Sequence, residues 1–272
     1  MAEVPLDEVG ALLREAADSV VLPMFRQLDD ADITEKAPGE VVTVADREAE
    51  TLIADRLREL LPGSVVVGEE AVAEQPELLG HLVGPGEVWL VDPVDGTANF
   101  AAGRRPFALM VSLQRAGELV ASWILDPLAD ELAVAASGVP TRLNGQPVTS
   151  FDGPAPDGHP LAELRGTAMT RFLPADLRAE VTAGGRHVGE LLGGQHCAGR
   201  EYLDLLTGRH QFILFWRTLP WDHAPGVLLA RQAGGVARRF DGTDYHPADD
   251  RRGLLIAANE RIWRDVRDAL LP

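Results

Sequence analysis

The sequence predicts a layered α/β protein with an α+β lobe over residues 1–150 and an α/β lobe over residues 151–272. Several long segments carry apolar residues at intervals of three and four, which is typical of amphipathic helices. Short apolar runs between them have the length of buried strands. Because both kinds of segment alternate along 272 residues, sheets covered by helices are the expected architecture.

The first half is predicted to hold two long helices and five strands. The first helix covers residues 9–28, and the second covers residues 45–61 and stops at Pro62 and Gly63, with its N-cap at Thr43 or Asp46. The strands are predicted at residues 41–44, 64–67, 88–91, 107–113 and 119–125. The strands at 64–67 and 88–91 are followed by acidic residues, so carboxylates are expected to gather at their C-terminal ends.

A linker is predicted at residues 151–160, which contain three prolines and two glycines. Beyond it, helical spacing recurs and two further apolar runs have the length of strands. The predicted helices cover residues 200–206, 222–233 and 260–271, and the predicted strands cover residues 212–215 and 254–257.

Charge and cysteine content exclude several classes of function. The 42 acidic residues exceed the 25 basic ones, and the net charge of −17 repels nucleic acid polymers and anionic membranes. A small anionic substrate remains possible, because bound divalent cations reverse the local potential. Cys197 is the only cysteine, which excludes an intramolecular disulfide and a cysteine zinc cluster. Without a signal-like N-terminus or a long apolar run, the expected location is cytoplasmic.

The segment Asp92-Pro93-Val94-Asp95-Gly96-Thr97 has the densest concentration of chemical groups. Carboxylates about 5 Å apart repel one another by roughly 3 kcal/mol at an effective dielectric of about 20, so clustered acids need protons or cations. Oxygen ligands favour a hard cation, Mg²⁺ first. Two alternatives remain open: Asp92 and Asp95 could cap a turn and a helix, and Asp222 could be the N-cap of the helix that follows it.

Three motifs in order resemble the inositol monophosphatase family of Mg²⁺-dependent, lithium-sensitive phosphatases. They are Gly68-Glu69-Glu70, the segment from Asp92 to Thr97 with Asn99-Phe100, and Trp221-Asp222 before a helix ending at Gly234-Gly235. The resemblance covers roughly residues 35–235 and implies the layered αβαβα sugar-phosphatase fold and a homodimer. It also implies a phosphomonoesterase that acts on a small phosphorylated metabolite by direct attack of metal-activated water.

The resemblance also implies two or three Mg²⁺ ions in each site. One metal would be held by Glu69, Asp92 and the carbonyl of Val94, and a second by Asp92, Asp95 and Asp222. A third, weaker ion would lie near Glu69.

Catalytic roles follow from the same resemblance. Thr97 and Glu69 would orient the attacking water, and Asp46 would act through waters near the third metal. The amides of Gly96 and Thr97 would bind phosphate oxygens at a helix N-terminus. Lys36 would lie in a loop over the site, the alternative being a solvated surface charge.

The substrate side departs from the family pattern. Inositol-specific relatives carry an acid seven positions before the Trp-Asp aspartate, where this chain has Phe215, and the usual Gly-Ser/Thr-Ala-Ala stretch is changed around Cys197 and Ala198. We therefore expect a substrate other than inositol phosphate. Cys197 could instead be a small buried hydrophobe. Arg200 and Arg217 could bind a second anion, although exposed surface arginines are the more common case.

Two rival functions compete with this interpretation. Haloacid-dehalogenase-type phosphatases form an aspartyl phosphate at the position held here by Pro93, which has no carboxylate, so that covalent mechanism is excluded. A phosphate-binding or metal-binding regulatory module on the same fold stays open, as does specificity for histidinol phosphate or a nucleotide bisphosphate.

Overall fold

Two β-sheets and three layers of helices alternate in the structure, a computed structural model that describes residues 3–37, 40–148 and 160–271. The layers are, in order, α1 with α3, a seven-stranded sheet, α7 with α8, a five-stranded sheet, and α6 with α9. The predicted αβαβα class is confirmed.

The helices are α1 (Leu6–Ala16), α2 (Leu22–Met24), α3 (Val44–Leu60), α4 (Glu69–Glu74), α5 (Thr97–Ala101), α6 (Ala175–Gly184), α7 (Ala198–Leu206), α8 (Pro220–Gln232) and α9 (Glu260–Leu270). The strands are β1 (Ile33–Ala37), β2 (Glu40–Thr43), β3 (Val65–Gly68), β4 (Glu87–Asp95), β5 (Ala108–Arg115), β6 (Glu118–Asp126), β7 (Glu131–Ala136), β8 (Val139–Leu143), β9 (Gln146–Pro147), β10 (Arg165–Ala168), β11 (Glu190–Leu192), β12 (Phe212–Phe215), β13 (Val236–Arg238) and β14 (Leu254–Ala257).

The large sheet runs in sequence order from β3 to β9, with β3 and β4 parallel and the later pairs antiparallel. Alternate residues of its strands face opposite layers. Trp89 and Trp123 belong to the core shared with α1 and α3, whereas Leu90, Met110 and Ile124 belong to the core shared with α7 and α8. Both faces of the sheet are therefore buried, which explains the long apolar runs of β4 and β5.

The small sheet has the order β11-β10-β12-β14-β13. Helix α7 lies between the sheets and is buried along its whole length. Its Arg200 is buried against Asp126, Glu131 and Asp204, with N···O distances of 2.7–3.0 Å. The expectation that Arg200 is an exposed arginine or an anion-binding residue is therefore wrong, because its guanidinium is surrounded by carboxylates that join α7 to the large sheet.

Several boundaries differ from the sequence prediction. A π-helical segment, Ala17–Val21, connects α1 to α2, which ends at Met24 rather than at residue 28. Lys36 lies in strand β1 of a two-stranded hairpin instead of in a loop. Strands β1, β7 to β11 and β13, and helix α6, were not anticipated. The predicted linker falls outside the described residues except for Pro160.

Within the described ranges, the structure contains no helix with the length and apolar character needed to cross a membrane.

Candidate active site

A cleft opens where the C-terminal ends of β3 and β4 meet the first turns of α5, α7 and α8. Its cavity volume is about 210 Å³. One end is lined by carboxylates and the other by aromatic and arginine side chains. We call these the acidic end (Glu69, Asp92, Asp95 and Asp222) and the aromatic end (Met169, Arg171, Phe172, Phe215, Trp216 and Arg217).

Three carboxylates of the acidic end converge on one point. Glu69, Asp92 and Asp222 each offer an oxygen atom, and these atoms lie within 4.8 Å of one another. Glu69 and Asp92 become neighbours because β3 and β4 pair in parallel, with Gly68 opposite Val91. Asp222 is the third residue of α8, whose N-cap is Leu219, so the alternative that Asp222 is the N-cap is wrong.

Burial and mutual repulsion oppose the ionised forms of these acids. Burial, the Glu69 charge and the Asp95 charge together hold the pKa of Asp92 well above its usual value. Burial also raises the pKa of Glu69 to about 7, although Lys36 opposes the shift. Because carboxylates so placed are stabilised by a cation or by protons, the acidic end favours positive charge.

A β-bulge directs the two aspartates of the motif toward the cleft. The register of β4 on β5 changes from Asp92 opposite Met110 to Asp95 opposite Ala108, so β4 has one extra residue there. Such bulges re-aim side chains beside active sites. The motif is therefore a bulged strand end. The capping contacts considered above are also present, because Oδ1 of Asp92 accepts a hydrogen bond from the amide of Val94 at 3.1 Å, and Asp95 accepts one from an amide in the first turn of α7.

Asp95 lines the cleft but is tied to helix α7. Its Oδ2 accepts hydrogen bonds from the amide of Gly199 at 2.6 Å and from the thiol of Cys197 at 3.1 Å. A Cβ atom at residue 199 would lie 2.8 Å from the Cβ of Ala108, so only glycine permits this approach. The altered stretch around Cys197 and Ala198 thus positions the carboxylate of Asp95. Cys197 is buried, and its thiol donates a hydrogen bond to that carboxylate.

Thr97 and Asp46 form a hydrogen-bonded pair beside the acids. The hydroxyl of Thr97 lies 3.0 Å from Oδ1 of Asp46 and 2.9 Å from the carbonyl oxygen of Val94. Oδ2 of Asp46 accepts a hydrogen bond from the amide of Thr43 at 2.8 Å, which fixes the carboxylate at the start of α3. Burial raises the pKa of Asp46 to about 6, although its hydrogen bonds with Thr43 and Thr97 oppose the shift.

Gly96 makes the close turn between β4 and α5. Its φ angle of +90° lies in the left-handed region that favours glycine, and an added Cβ would lie 3.1 Å from the carbonyl oxygen of Pro106. Gly96 is the N-cap residue of α5, which has only five residues. Gly96 and Thr97 both line the cleft. The family resemblance implies that their amides bind phosphate, which stays a prediction.

Lys36 is paired with acids and is not a solvated charge. Its Nζ lies 3.4 Å from Oε1 of Glu69 and also contacts Oε1 of Glu70. Behind it, Glu50 accepts hydrogen bonds at 2.8 Å from the amides of Glu70 and Ala71. The one lysine of the chain therefore touches a member of the acid cluster.

The aromatic end combines residues from two loops and one strand. Phe215 ends β12 and packs 4.5 Å, centroid to centroid, from the ring of His223. Burial lowers the pKa of His223 to about 3, so this histidine is neutral and supports the wall. Phe172 is 44% exposed at the mouth, with the guanidinium carbon of Arg171 5.3 Å from its ring centroid.

Sequence reasoning found Phe215 and missed Met169, Arg171, Phe172 and Trp216. These residues lie in the segments that follow β10 and β12, including the 3₁₀ helix Thr170–Phe172, where no spacing marks a ligand contact. An aromatic residue preceded by an arginine in Thr170-Arg171-Phe172 was the available signal.

The donor set of the acidic end fits a hard divalent cation. Among the described residues, the converging ligand atoms come from three carboxylates. This group contains no histidine nitrogen and no cysteine sulfur. Oxygen-only ligands suit Mg²⁺, Ca²⁺ or Mn²⁺ better than softer metals.

Comparisons with known proteins agree with this geometry. A model of the inositol monophosphatase family matches residues 5–271. The inositol-1-monophosphatase of Rhizobium meliloti is 30% identical over 249 residues, which cover 90% of this chain and 88% of that protein. The Nus factor SuhB of Escherichia coli is 27% identical over 280 residues, covering 98% of this chain and 97% of that protein. The extragenic suppressor protein suhB of Bartonella henselae has a TM-score of 0.81 at 24% identity, covering 97% of both chains.

Proposed function

Because the chain belongs to the inositol monophosphatase family, we propose that it is a Mg²⁺-dependent phosphomonoesterase acting on a small phosphorylated metabolite. The observation that carries the proposal is the convergence of Glu69, Asp92 and Asp222 within 4.8 Å beside the Thr97–Asp46 pair. A site for hard cations and a hydroxyl able to orient water then occupy one cleft. These are the parts that hydrolysis of a phosphate ester requires.

The carboxylates of the acidic end would hold two to three Mg²⁺ ions. Glu69, Asp92 and the Val94 carbonyl would hold one, and Asp92, Asp95 and Asp222 a second. When bound, the metals supply Lewis-acid activation of water and neutralise charge on phosphate oxygens. Oδ2 of Asp95 is hydrogen-bonded to the amide of Gly199 in α7, so α7 would fix the geometry of that ligand.

The remaining residues position the reactants. The hydroxyl of Thr97 donates a hydrogen bond to Asp46, so the lone pairs of the hydroxyl oxygen stay free to accept a hydrogen bond from water. Glu69 would be the second group oriented toward that water. The amides of Gly96 and Thr97 would donate to phosphate oxygens.

Phe215 argues against a polyol leaving group. Its side chain is 3% exposed and forms the cleft wall with His223 and Trp216. A polyol hydroxyl against this wall would lose its hydrogen bond to water, at a cost of about 1–3 kcal/mol. We therefore propose a phosphomonoester other than inositol phosphate.

Phosphate release from a panel of phosphomonoesters tests the proposal. We expect release with Mg²⁺, loss of release with a chelator, and recovery when Mg²⁺ is restored. Acid quenching during turnover should trap no phosphoprotein, because Pro93 removes the aspartyl nucleophile of the rival mechanism. A trapped acyl phosphate would contradict direct attack by water.

A second candidate is a regulatory module, favoured by the relative called Nus factor SuhB. In this case the protein would bind Mg²⁺ at the acidic end without hydrolysing any member of the panel. Calorimetry with Mg²⁺ alone, run beside the phosphate-release assay, separates the two candidates.

Further features implied by the family remain predictions. They are inhibition by lithium, a homodimer and a cytoplasmic location. Inhibition by Li⁺ in the phosphate-release assay and the mass measured by light scattering test the first two.

A further inference from the structure

Arg200 is a buried charge that is bound from three directions. Its guanidinium contacts Asp126 at the end of β6, Glu131 at the start of β7 and Asp204 one turn further along α7, with N···O distances of 2.7–3.0 Å. We call these four residues the Arg200 cluster. Two of the carboxylates belong to the large sheet and one to the helix, so the guanidinium fixes both the position of α7 on the sheet and its rotation about its own axis.

A steric contact beside Arg200 acts on the same part of the sheet. Gly199 precedes Arg200, and a Cβ atom at residue 199 would lie 3.2 Å from Cγ2 of Ile124. Ile124 stands two residues before Asp126 on β6. The first turn of α7 is therefore held to β6 by a close backbone approach at Gly199 and by an ion cluster at Arg200.

The same turn carries the hydrogen bonds that orient Asp95. Its Oδ2 accepts hydrogen bonds from the amide of Gly199 at 2.6 Å and from the thiol of Cys197 at 3.1 Å. The amide of Arg200 donates in turn to Sγ of Cys197 at 3.4 Å. A rotation or shift of α7 would therefore move both donors away from Asp95 together.

Stability alone does not account for a buried cluster of this kind. Removing charges from water is costly, and well-packed apolar side chains of similar volume are often equally or more stabilising. An apolar contact permits sliding and rotation, whereas a planar guanidinium with three carboxylate partners has a fixed direction for each hydrogen bond. What the Arg200 cluster adds is therefore a defined orientation of α7.

We propose that Arg200 is a positioning residue for Asp95: its cluster holds the first turn of α7 where Gly199 and Cys197 direct the Asp95 carboxylate toward the cleft. The inference rests on the proposed function, in which Asp95 is a ligand of the second Mg²⁺. Arg200 itself does not line the cleft. Residues that support a metal ligand typically change metal affinity by about 10–100-fold, so Arg200 acts on Mg²⁺ binding and not on the choice of substrate.

Arg200→Lys tests this role without leaving the three carboxylates uncompensated. A lysine retains the charge but lacks the planar fork that binds several carboxylates at once. We expect the Mg²⁺ concentration for half-maximal phosphate release to rise about tenfold, with unchanged ratios of kcat/KM between substrates. Calorimetry with Mg²⁺ alone should show one ion bound about tenfold more weakly.

Cys197 reports on the same turn in the metal-free protein. It is the only cysteine of the chain and is 1% exposed, so iodoacetamide reaches its thiol only when the first turn of α7 opens. With a chelator present and at a fixed pH, Arg200→Lys should speed the labelling of Cys197 about tenfold, because charge-assisted hydrogen bonds are lost.

Asp126→Asn removes one partner of Arg200 from the side of the sheet. It should also speed the labelling of Cys197, and the two substitutions together should do less than the product of their separate effects, because both act on one contact. If Arg200→Lys does not fold, Asp126→Asn alone carries the labelling and Mg²⁺ measurements.

Arg115→Lys is the matched control. Arg115 is a partly buried arginine of the same sheet, and its Nε lies 2.6 Å from Oε1 of Glu87, at the end of β4 opposite to Asp95. The control should leave Mg²⁺ affinity and Cys197 labelling unchanged, and melting temperatures show which variants are folded in the assays. Equal acceleration by Arg115→Lys, or wild-type labelling in a folded Arg200→Lys, would overturn the inference.

The positioning role and the phosphatase activity can fail separately. If the wild type hydrolyses no phosphomonoester and binds no Mg²⁺, the proposed function fails, while faster labelling of Cys197 in Arg200→Lys still supports control of the α7 turn by Arg200. If the wild type is active and Arg200→Lys keeps its Mg²⁺ affinity, the proposed function stands and this inference is wrong, because Asp95 then keeps its orientation without the guanidinium.

Discussion

The two ends of the cleft are assembled in different ways. The acidic end takes its side chains from strand termini and from the first turns of helices, and hydrogen bonds to backbone amides fix Asp46 and Asp95. The aromatic end takes Arg171 and Phe172 from a short turn after β10, and Phe172 stays 44% exposed. The first end is therefore held by regular elements and backbone hydrogen bonds, whereas the second includes an exposed ring on a connecting segment.

This difference separates chemistry from selectivity. The groups proposed to act on the phosphate must keep their geometry, and they lie at the ends of strands and in the first turns of helices. The residues proposed to contact the leaving group lie at the end of β12 and on connecting segments, where a substitution such as Phe215 would change the ligand without moving the acids. Substitutions at the acidic end should therefore affect every substrate alike, and those at the aromatic end should change the ratios between substrates.

The largest effect is expected from Asp92→Asn. The charges of Glu69, Asp95 and Asp222 all raise the pKa of Asp92, so its carboxylate lies among theirs and its loss should weaken the proposed cation site most. We expect kcat/KM to fall about a thousandfold or more for every substrate, since metal stabilisation of the reacting oxygens is worth several kcal/mol. Mg²⁺ should also cease to raise the melting temperature.

Asp176→Asn is the matched control for Asp92→Asn, because Asp176 is exposed and does not line the cleft. It should keep wild-type rates. Wild-type turnover by Asp92→Asn at saturating Mg²⁺ would contradict the central role of Asp92.

Thr97→Ala should have the next largest effect. Without the hydroxyl, Asp46 loses its contact with Thr97 at 3.0 Å and the water loses an orienting group. A fall of about a hundredfold in kcat is expected for all substrates, with little change in the Mg²⁺ concentration needed for half-maximal activity. Thr97→Ser, which retains the hydroxyl, should recover most of the rate; equal loss in both variants would show that the hydroxyl is not the active group.

The contrast between the two ends also explains what could be predicted from sequence. Asp92, Asp95 and Asp222 stand in motifs of fixed order, and apolar periodicity marked α3, α8 and the central strands. Arg171 and Phe172 have no such pattern, because their position depends on how β10 packs beside β12. The burial of Arg200 was equally hidden, since its carboxylate partners Asp126 and Glu131 are about seventy residues away in the chain.

Phe215→Glu should change selectivity at the aromatic end. A carboxylate there would accept polyol hydroxyls, and a hydrogen bond to a charged group is worth about 1.5–3 kcal/mol. We expect the kcat/KM for inositol 1-phosphate to rise about tenfold relative to that for p-nitrophenyl phosphate. Phe215→Leu, which keeps the wall apolar, should not raise this ratio, and melting temperatures of both variants check that the contact with His223 does not decide folding.

The smallest effect is expected from Glu50, whose carboxylate accepts hydrogen bonds from the two backbone amides that follow Glu69. Burial raises its pKa to about 7 from an ordinary value of 4.5, although hydrogen bonds from the amides of Glu70 and Ala71 oppose the shift. Between these two pH values the folded protein binds more protons than the unfolded chain. The free energy of unfolding of the metal-free protein should therefore decrease as pH rises from about 4.5 to 7.

Glu50→Gln should flatten this pH dependence. The substitution removes one titrating group worth on the order of 1–3 kcal/mol across the window, while Asp46 and Glu69 keep contributing in the same direction. Urea unfolding with a chelator at several pH values measures the slope. Glu48→Gln, at an exposed position of the same helix, should keep the wild-type slope. If Glu50→Gln also keeps the wild-type slope, Glu50 is ionised in the folded protein at low pH. The surroundings of its carboxylate are then more polar than its burial indicates.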